Sequence, residues 1–386
     1  MLSVKTLNKI SSRGLELFSR DDYEIASELS NPDAILVRSY NMLDMDLNKN
    51  LKAIARAGAG VNNIPIDRCT EKGIVVFNTP GANANAVKEL VLTSLFLSSR
   101  KIYSGITWAK TLKGKGSEVA KLVEKGKSQF VGPEIKGKKL GVIGLGAIGV
   151  LVANDACALG MDVIGYDPFI SIDSAWELES SVEKAASLDY LFSTCDYITI
   201  HVPFNDKTDC MINKDKFGIM KKGVKLLNFA RGGLVADKDL LEAIKDGIVS
   251  CYVTDFPKEE LLGNDNIITI PHLGASTPES EENCAIMAAS QLREFLEKGN
   301  IKNSVNFPDC DLHMADNRII VAHDNVPNMF GQITSLLAQN GLNIGDMLSK
   351  HRNKIGYTIL NLEETISQDI ISRLKAIQGI RMVRVI

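Results

Sequence analysis

The stretch KLGVIGLGAIGVLVANDACALGMDVIGYDP, residues 139–168, decides the fold of the middle of the chain. It begins with an apolar strand up to Ile143, passes through a turn with three glycines, and continues as a helix with one apolar stripe. A second apolar strand ends at Asp167. A strand, a helix and a second strand in this order predict a βαβ unit of an open parallel sheet.

The glycine turn has the G-x-G-x-x-G spacing of a dinucleotide site, with Gly144, Gly146 and Gly149 in the three glycine positions. The first glycine permits a tight turn, the second lets the backbone approach a pyrophosphate, and the third lets the helix pack on the strand. Free N–H groups at the helix start suit the pyrophosphate. Asp167 suits the ribose hydroxyls and repels a 2′-phosphate, so NAD is predicted; the alternative is an α/β unit with chance glycines and a turn aspartate. The candidate cofactor contacts in this stretch are Gly144, Gly146, Ala147, Ile148, Gly149 and Asp167.

The composition excludes several function classes. The chain has 386 residues, of which 45% are hydrophobic and 24% charged, with a formal net charge of −3. This balance gives no reason to expect nucleic acid or an anionic membrane as a partner. The N-terminal residues lack a signal-peptide pattern and no apolar run is long enough to span a bilayer, so a cytoplasmic protein is expected. Seven cysteines without a C-x-x-C pair predict no metal site and reduced thiols.

Three regions of regular alternation indicate an α/β protein. Two regions predict doubly wound parallel sheets of Rossmann type, and six apolar strands are expected in the second of them. A single long helix is predicted from about Asn83 towards Trp108, and another helix over 278–298 returns to the first layer. The last region has the order βαββαβ of a small ferredoxin-like domain. The predicted domains are 1–96 with 277–310, then 97–276, then 317–386.

Polar residues follow several strands of the second region, where open α/β sheets place their ligands. Hydride transfer from an alcohol needs a base, a cation for the substrate anion and an acid that orients the base. His272, Arg231 and either Glu259 or Glu260 have these chemistries. The alternatives are a structural histidine and an arginine that caps a turn. The remaining candidate cofactor contacts at these strand ends are His201, Pro203, Phe229, Ala230, Arg231, Asp255, His272, Gly274 and Ala275.

Several of these strings together resemble one family. GLGAIG (144–149), NFARGGLV (228–235), DFP (255–257) and PHLGAST (271–277) are similar to the D-isomer-specific 2-hydroxyacid dehydrogenases. VRS (37–39), RAGAGVNNI (56–64) and NTPGANANAVKE (78–89) resemble the branch that acts on 3-phosphoglycerate. The resemblance implies NAD-dependent oxidation of 3-phospho-D-glycerate to 3-phosphohydroxypyruvate, the first step of phosphorylated serine synthesis.

The resemblance also implies residue roles. His272 is the acid/base, Arg231 holds the substrate carboxylate, and a glutamate keeps His272 protonatable. The family usually reads D-V-F-x-x-E-P in this region, whereas residues 255–260 read DFPKEE and lack the residue after the aspartate and the final proline. Alignment on Phe256 makes that glutamate Glu259, whereas counting from Arg231 makes it Glu260; we favour Glu259 because Phe-Pro fixes the local geometry. In the first domain, which the resemblance makes substrate-binding, guanidinium groups suit a phosphate. The substrate contacts it implies there are Arg38, Arg56, Gly58 and Asn78.

The last 70 residues resemble an ACT regulatory domain. His323, Asn325 and Asn343 then stand where similar domains hold L-serine, although Asn328 replaces a usual glycine. The alternative is a domain that only dimerises or binds another amino acid. We expect a homodimer or homotetramer and a phosphorylated 2-hydroxy acid as substrate. Two other functions stay open: another D-2-hydroxyacid dehydrogenase of the hydroxypyruvate or glyoxylate type, and an NAD-sensing protein resembling a co-repressor.

Overall fold

The computed structural model describes all 386 residues and divides the chain into two compact units. The first unit contains 1–83 and 278–386, and the second contains 84–277. The second unit begins at Ala84, earlier than the predicted boundary at residue 97. The reason is that the helix Ala84–Ser99 lies wholly within the second unit. None of the helices combines the length and the apolarity of a bilayer-spanning segment.

The first unit starts with a five-stranded parallel sheet. Its strand order is β2-β1-β3-β4-β5, and the buried strands β3 and β4 carry short apolar runs, as parallel strands covered on both faces do. The elements are β1 (Leu2–Leu7), α1 (Ser12–Leu15), β2 (Tyr23–Ala26), β3 (Ala34–Val37), β4 (Ala53–Arg56), α2 (Ile66–Glu71) and β5 (Val75–Phe77).

The second unit contains a seven-stranded parallel sheet in the order β12-β11-β10-β9-β6-β7-β8. All seven strands are parallel, but the strand order changes direction between β6 and β9, and this is the switch point where ligands of such sheets bind. Its elements are α3 (Ala84–Ser99), α4 (Ile102–Lys110), α5 (Val119–Gly126), β6 (Lys139–Ile143), α6 (Ala147–Ala158), β7 (Asp162–Tyr166), α7 (Ile172–Glu177), β8 (Glu183–Lys184), α8 (Leu188–Thr194), β9 (Tyr197–Ile200), α9 (Lys214–Ile219), β10 (Val224–Asn228), α10 (Asp237–Lys245), β11 (Val249–Thr254) and β12 (Ile267–Thr269).

Two expectations for this unit are wrong. The six predicted strands are seven, because β8 consists of two exposed charged residues at the sheet edge and has no apolar signal. The single long helix is two helices, α3 and α4, interrupted at Arg100 and Lys101. At the end of α3 the hydroxyl of Ser99 donates to the carbonyl of Leu95 and lies 2.7 Å from the hydroxyl of Tyr197, so this helix end is anchored to β9.

The chain returns to the first unit through α11 (Pro278–Lys298), which confirms the predicted helix. Its apolar residues pack on the five-stranded sheet, where the rings of Phe77 and Phe295 are 5.6 Å apart in an edge-on arrangement. Helix α11 therefore shares one apolar core with the start of the chain and with its last 70 residues.

The C-terminal region is a four-stranded antiparallel sheet with two helices, and the predicted βαββαβ order is confirmed. The strand order is β14-β15-β13-β16, which leaves β16 as an edge strand. The guanidinium of Arg318 is buried and donates to the carbonyl of Lys298 at the end of α11 and to the carbonyl of Leu312 in the linker that follows. The elements are β13 (Asn317–Asp324), α12 (Met329–Gln339), β14 (Ile344–Arg352), β15 (Ile355–Leu362), α13 (Gln368–Ala376) and β16 (Ile380–Val385).

Candidate cofactor and active site

The glycine loop between β6 and α6 has a backbone that only glycine fits at two of its three positions. Gly144 has φ +92°, and a Cβ there would lie 2.6 Å from the carbonyl oxygen of His201. A Cβ on Gly149 would lie 1.9 Å from the carbonyl oxygen of Gly144. The loop therefore packs directly on its own helix and on the end of β9.

Gly146 is different, because a Cβ added there would meet no atom within 4 Å. This residue is the N-cap of α6, so the open space lies at the helix end whose N–H groups have no partner inside the helix. Ala147 and Ile148 form the first turn. An open cradle at a positive helix end fits a pyrophosphate.

The carboxylate of Asp167 is held in place just after β7. One of its oxygens accepts the N–H of Leu145 at 2.8 Å, and the other accepts the N–H of Phe169 at 2.8 Å. Each oxygen keeps a lone pair for a further donor. The residue is therefore fixed beside the glycine loop and able to accept ribose hydroxyls.

The turn after β10 is built on the buried side chain of Asn228. Its amide nitrogen donates to the carbonyl of Arg231 at 2.9 Å, and its oxygen accepts the N–H of Ala230 at 3.2 Å. The side chain of Arg231 is exposed, and its guanidinium donates to the carbonyl of Ala230. Phe229 beside it is buried. Asn228 was not among the predicted site residues, although it sets the shape of this turn.

The ends of β11 and β12 bring Asp255 and His272 together. The rings of Phe256 and His272 are 4.9 Å apart, and the N–H of Gly274 donates to one oxygen of Asp255 at 3.3 Å. The other oxygen of Asp255 is buried without a partner. Burial raises the pKa of Asp255 above its ordinary value, and the nearby charges of His272 and Arg231 oppose part of that rise.

Glu259 and Glu260 do not pair with His272 in this structure. Both are exposed in the short 3-10 turn Glu259–Leu261, and neither carboxylate forms an ion pair with His272. The sequence is one residue shorter after Asp255 than the family pattern, and the charge of His272 acts on the buried Asp255, whereas neither glutamate pairs with the imidazole.

His201 follows β9 directly and lies beside the glycine loop. Its Nε2 lies 2.9 Å from the hydroxyl of Thr199, and burial lowers its pKa to about 4. The imidazole is therefore neutral near pH 7. Of the other predicted contacts, Pro203 is in the loop after β9 and Ala275 follows β12.

The predicted substrate residues of the first unit lie at the carboxyl ends of three neighbouring strands, β3, β4 and β5. Arg38 follows β3, Arg56 ends β4 and Asn78 follows β5. The Nε of Arg56 donates to the carbonyl of Arg38 at 3.0 Å, and a Cβ on Gly58 would lie 2.7 Å from the guanidinium of Arg56. The amide of Asn78 donates to the carbonyl of Ala59 at 2.7 Å.

Glu281, which the sequence did not single out, pairs with Arg38. One of its oxygens lies 2.6 Å from the guanidinium, and both side chains are partly exposed. Glu281 is in the first turn of α11, so only the fold brings it to a residue 243 positions earlier. A substrate anion at Arg38 must compete with this carboxylate.

The predicted regulatory residues lie at the two ends of the C-terminal sheet. His323 is buried, with its ring nitrogens 2.9 Å from the carbonyl of Asp324 and from the hydroxyl of Thr358. Asn325 is exposed, and the amide of Asn343 donates to Glu363 at 2.7 Å. Asn328 has φ +64°, a left-handed conformation that asparagine tolerates in place of glycine. All three candidate residues have intramolecular partners here.

The middle of the chain is similar to a known domain family. Residues 94–274 match the model of the D-isomer specific 2-hydroxyacid dehydrogenase NAD binding domain. Among solved structures, a 3-phosphoglycerate dehydrogenase from Entamoeba histolytica with bound NAD+ superposes with a TM-score of 0.61 at 24% identity, covering 79% of this chain and 98% of that one. The predicted α/β fold and the NAD-binding domain are confirmed.

Two curated relatives extend the similarity. A D-3-phosphoglycerate dehydrogenase from Archaeoglobus fulgidus is 36% identical over 328 residues, which cover 80% of this chain and 59% of the relative. One from Haemophilus influenzae is 29% identical over 409 aligned positions, covering all of this chain and 94% of the relative. The chain thus spans less than two thirds of the length of the first relative and nearly all of the second.

Proposed function

We propose that this chain, which contains the NAD binding domain of the D-isomer specific 2-hydroxyacid dehydrogenases, oxidises 3-phospho-D-glycerate to 3-phosphohydroxypyruvate with NAD. The observation that carries the proposal is the gathering of the glycine loop, Arg231, Asp255 and His272 at the carboxyl ends of one parallel sheet. The product has the carbon skeleton of serine, so serine synthesis is the proposed role. The curated relatives with the name D-3-phosphoglycerate dehydrogenase support the choice of substrate.

The residues of the second unit fit NAD. The open space at Gly146 and the start of α6 suit the pyrophosphate, and Asp167 suits the adenosine ribose. His201, Pro203, Phe229, Ala230 and Ala275 are the further contacts that we propose. Bound NAD supplies the acceptor for the hydride that leaves the substrate carbon.

The proton chemistry belongs to the chain itself. We assign to an imidazole nitrogen of His272 the proton of the substrate hydroxyl, which must leave as the carbonyl forms. Arg231 presents an exposed guanidinium that suits a carboxylate bidentately and so fixes which face of the carbon is presented. Protonation makes His272 a cation, and a neighbouring carboxylate stabilises that cation.

Two carboxylates compete for that last role. The family resemblance assigns it to Glu259, whereas the electrostatic interaction of His272 with Asp255, whose second oxygen is buried without a partner, favours Asp255. A buried carboxylate with one unpartnered oxygen gains most from a nearby imidazole when that imidazole becomes charged. We therefore propose Asp255 as the partner of His272 and Glu259 as the alternative.

At the substrate end, Arg38 and Arg56 are the proposed phosphate ligands, supported by Gly58 and Asn78. A second candidate function is suggested by Glu281, which already forms an ion pair with Arg38. A carboxylate at this position disfavours a phosphate and favours an unphosphorylated 2-hydroxy acid such as that of a hydroxypyruvate or glyoxylate reductase.

The test is NADH formation from 3-phosphoglycerate at alkaline pH by the full chain. We expect turnover, with kcat/KM for reduction of phosphohydroxypyruvate well above that for hydroxypyruvate. An equal preference would favour the second candidate. His272→Ala should abolish turnover and keep NAD affinity within about twofold. Tight NAD binding without any turnover would instead indicate the NAD-sensing protein.

For the C-terminal region we propose an ACT-type regulatory role with L-serine held by His323, Asn325 and Asn343. Two exposed side chains of α4, Tyr103 and Ile106, support self-association as a homodimer or homotetramer. The expected location is the cytoplasm. A serine titration of the initial rate tests the effector, and no inhibition at millimolar serine would remove it.

A further inference from the structure

A second cation-rich site lies inside the first unit, in a cavity of about 650 Å³ between the five-stranded sheet and the C-terminal sheet. Its walls come from the residues that precede β4 and β5 and from β16. Five consecutive residues of β16, Ile380–Arg384, line the cavity. Because alternate residues of a strand point to opposite faces, a consecutive run means that the cavity lies along the free edge of this strand.

The cavity is strongly positive although the whole chain is slightly negative. Two of its cations are neutralised, since Lys52 pairs with Asp33 and Arg381 forms two hydrogen bonds to Asp324 at 2.8 and 3.0 Å. The other four form no ion pair with a carboxylate. The six cations that line it are Lys49, Lys52, Lys72, Lys375, Arg381 and Arg384.

Two of the four uncompensated cations are fixed by neutral partners. The guanidinium of Arg384 lies 4.7 Å over the ring of Phe295 and donates to the carbonyls of Phe295 and Leu296 in the last turns of α11, at 3.2 and 2.8 Å. The ammonium of Lys72 donates to the carbonyl of Leu47 at 2.9 Å. Burial lowers the pKa of Arg384, as expected for a charge withdrawn from water, and the nearby carboxylate of Asp33 opposes part of that fall.

The other two uncompensated cations are exposed. Lys49 and Lys375 approach the cavity from opposite walls, and neither has a hydrogen-bond partner in the structure. Fixed cations at the base with free lysines at the rim form a concave site in which several donors can converge on one anion. A flat, solvated lysine surface would not hold the charges in this way.

We propose that this cavity binds a small anion of charge −2 or more, and that a phosphate group is the chemistry it recognises. The volume is that of a metabolite-sized ligand rather than a macromolecule. Such a ligand would connect Lys49 and Lys72 with Lys375 and Arg384, and so connect the two sheets. The site is independent of the proposed reaction, because none of its residues belongs to the candidate active site.

The test uses inorganic phosphate and the thermal unfolding of the full chain, at ionic strength held constant with sodium chloride. A ligand that binds only the folded state raises the Tm in a saturable way. We expect such a rise for the wild type. The double variant Lys49→Gln, Lys375→Gln should need at least about tenfold more phosphate for the same rise. Both lysines are exposed, so the variant should fold normally.

Two controls separate this site from the active site and from simple screening. Lys121→Gln, Lys125→Gln removes two exposed lysines of α5 and should titrate as the wild type does. Arg38→Ala removes the proposed substrate ligand and should keep the phosphate-dependent rise in Tm. The proposal fails if the Lys49, Lys375 variant titrates like the wild type, or if Arg38→Ala alone abolishes the effect.

Discussion

The glycine loop of the second unit and the arginine pair of the first unit both present positive potential for an anion, but they are built differently. The loop uses backbone N–H groups at the start of α6, and its shape is fixed by contacts of Gly144 and Gly149 with other backbone atoms. The pair uses the side chains of Arg38 and Arg56, and one of them is already bound to Glu281.

This difference determines how each site responds to mutation. Backbone atoms cannot move aside for an added methyl group without shifting the whole turn, so the loop should respond steeply to one carbon atom. An exposed ion pair is worth little and is easily exchanged, so the arginine pair should respond weakly and in either direction.

Gly149→Ala should have the largest effect. The added Cβ would lie 1.9 Å from the carbonyl oxygen of Gly144, so α6 must separate from the loop. We expect a stability loss on the order of 3 kcal/mol and NAD binding weakened on the order of 100-fold or more. Thermal unfolding and calorimetric titration with NADH measure the two effects.

Gly146→Ala is the matched comparison, because its Cβ would meet no protein atom. Its Tm should therefore match the wild type, while NADH affinity falls by about tenfold if the pyrophosphate occupies this space. Unchanged affinity with unchanged Tm would place the pyrophosphate away from Gly146.

The contrast also explains what the sequence could predict. The glycine spacing and Asp167 are local signals, and both the βαβ unit and the position of the loop follow from them. The pairing of Arg38 with Glu281 joins residues far apart in sequence, and neither has a local pattern that marks it. Strand β8 was missed for a related reason, since two exposed charged residues are recruited to the sheet only by their neighbour β7.

Asp255 and Glu259 show the same limit within the active site. The family pattern favours Glu259, but the missing residue after Asp255 changes which carboxylate lies near His272, and only the folded turn shows it. We expect Asp255→Asn to lower kcat on the order of 100-fold, because an amide cannot stabilise the protonated imidazole. Glu259→Gln should stay within about threefold of the wild type.

The stability of Asp255→Asn separates the effect of the Asp255 charge from the effect of its packing. Because burial raises the pKa of Asp255, its ionised form costs stability near neutral pH, and that cost disappears as the pH falls through the raised value. Asp255→Asn should therefore raise the Tm at pH 7, with the gain shrinking in acid. If Glu259→Gln, and not Asp255→Asn, reduces kcat, Glu259 is the partner.

His201 lies next to the glycine loop, because its carbonyl packs against Gly144. The pH dependence of stability tests whether its imidazole is buried in the neutral form. Burial lowers the pKa of His201 to about 4, so its contribution to stability is complete above the unfolded value near 6.5 and is lost as the pH falls towards 4. His201→Gln should make the Tm fall less between pH 6.5 and 4 than it does in the wild type. His351→Gln, which removes an exposed histidine, should leave that fall unchanged.

Glu281→Gln should have the smallest effect of these variants, and it should improve substrate binding, whereas the other active-site variants impair cofactor binding or turnover. Removing the carboxylate frees the guanidinium of Arg38 for a substrate phosphate. An exposed ion pair is worth at most about 1 kcal/mol. We therefore expect KM for 3-phosphoglycerate to fall by at most about fivefold, with kcat unchanged. Glu282→Gln is the matched control, since the adjacent Glu282 pairs instead with Arg13 at 3.3 Å. A lower KM only in Glu281→Gln would make Glu281 a competitor of the phosphate. A KM that rises instead would mean that Glu281 positions Arg38, and the arginine pair would then be as preorganised as the glycine loop.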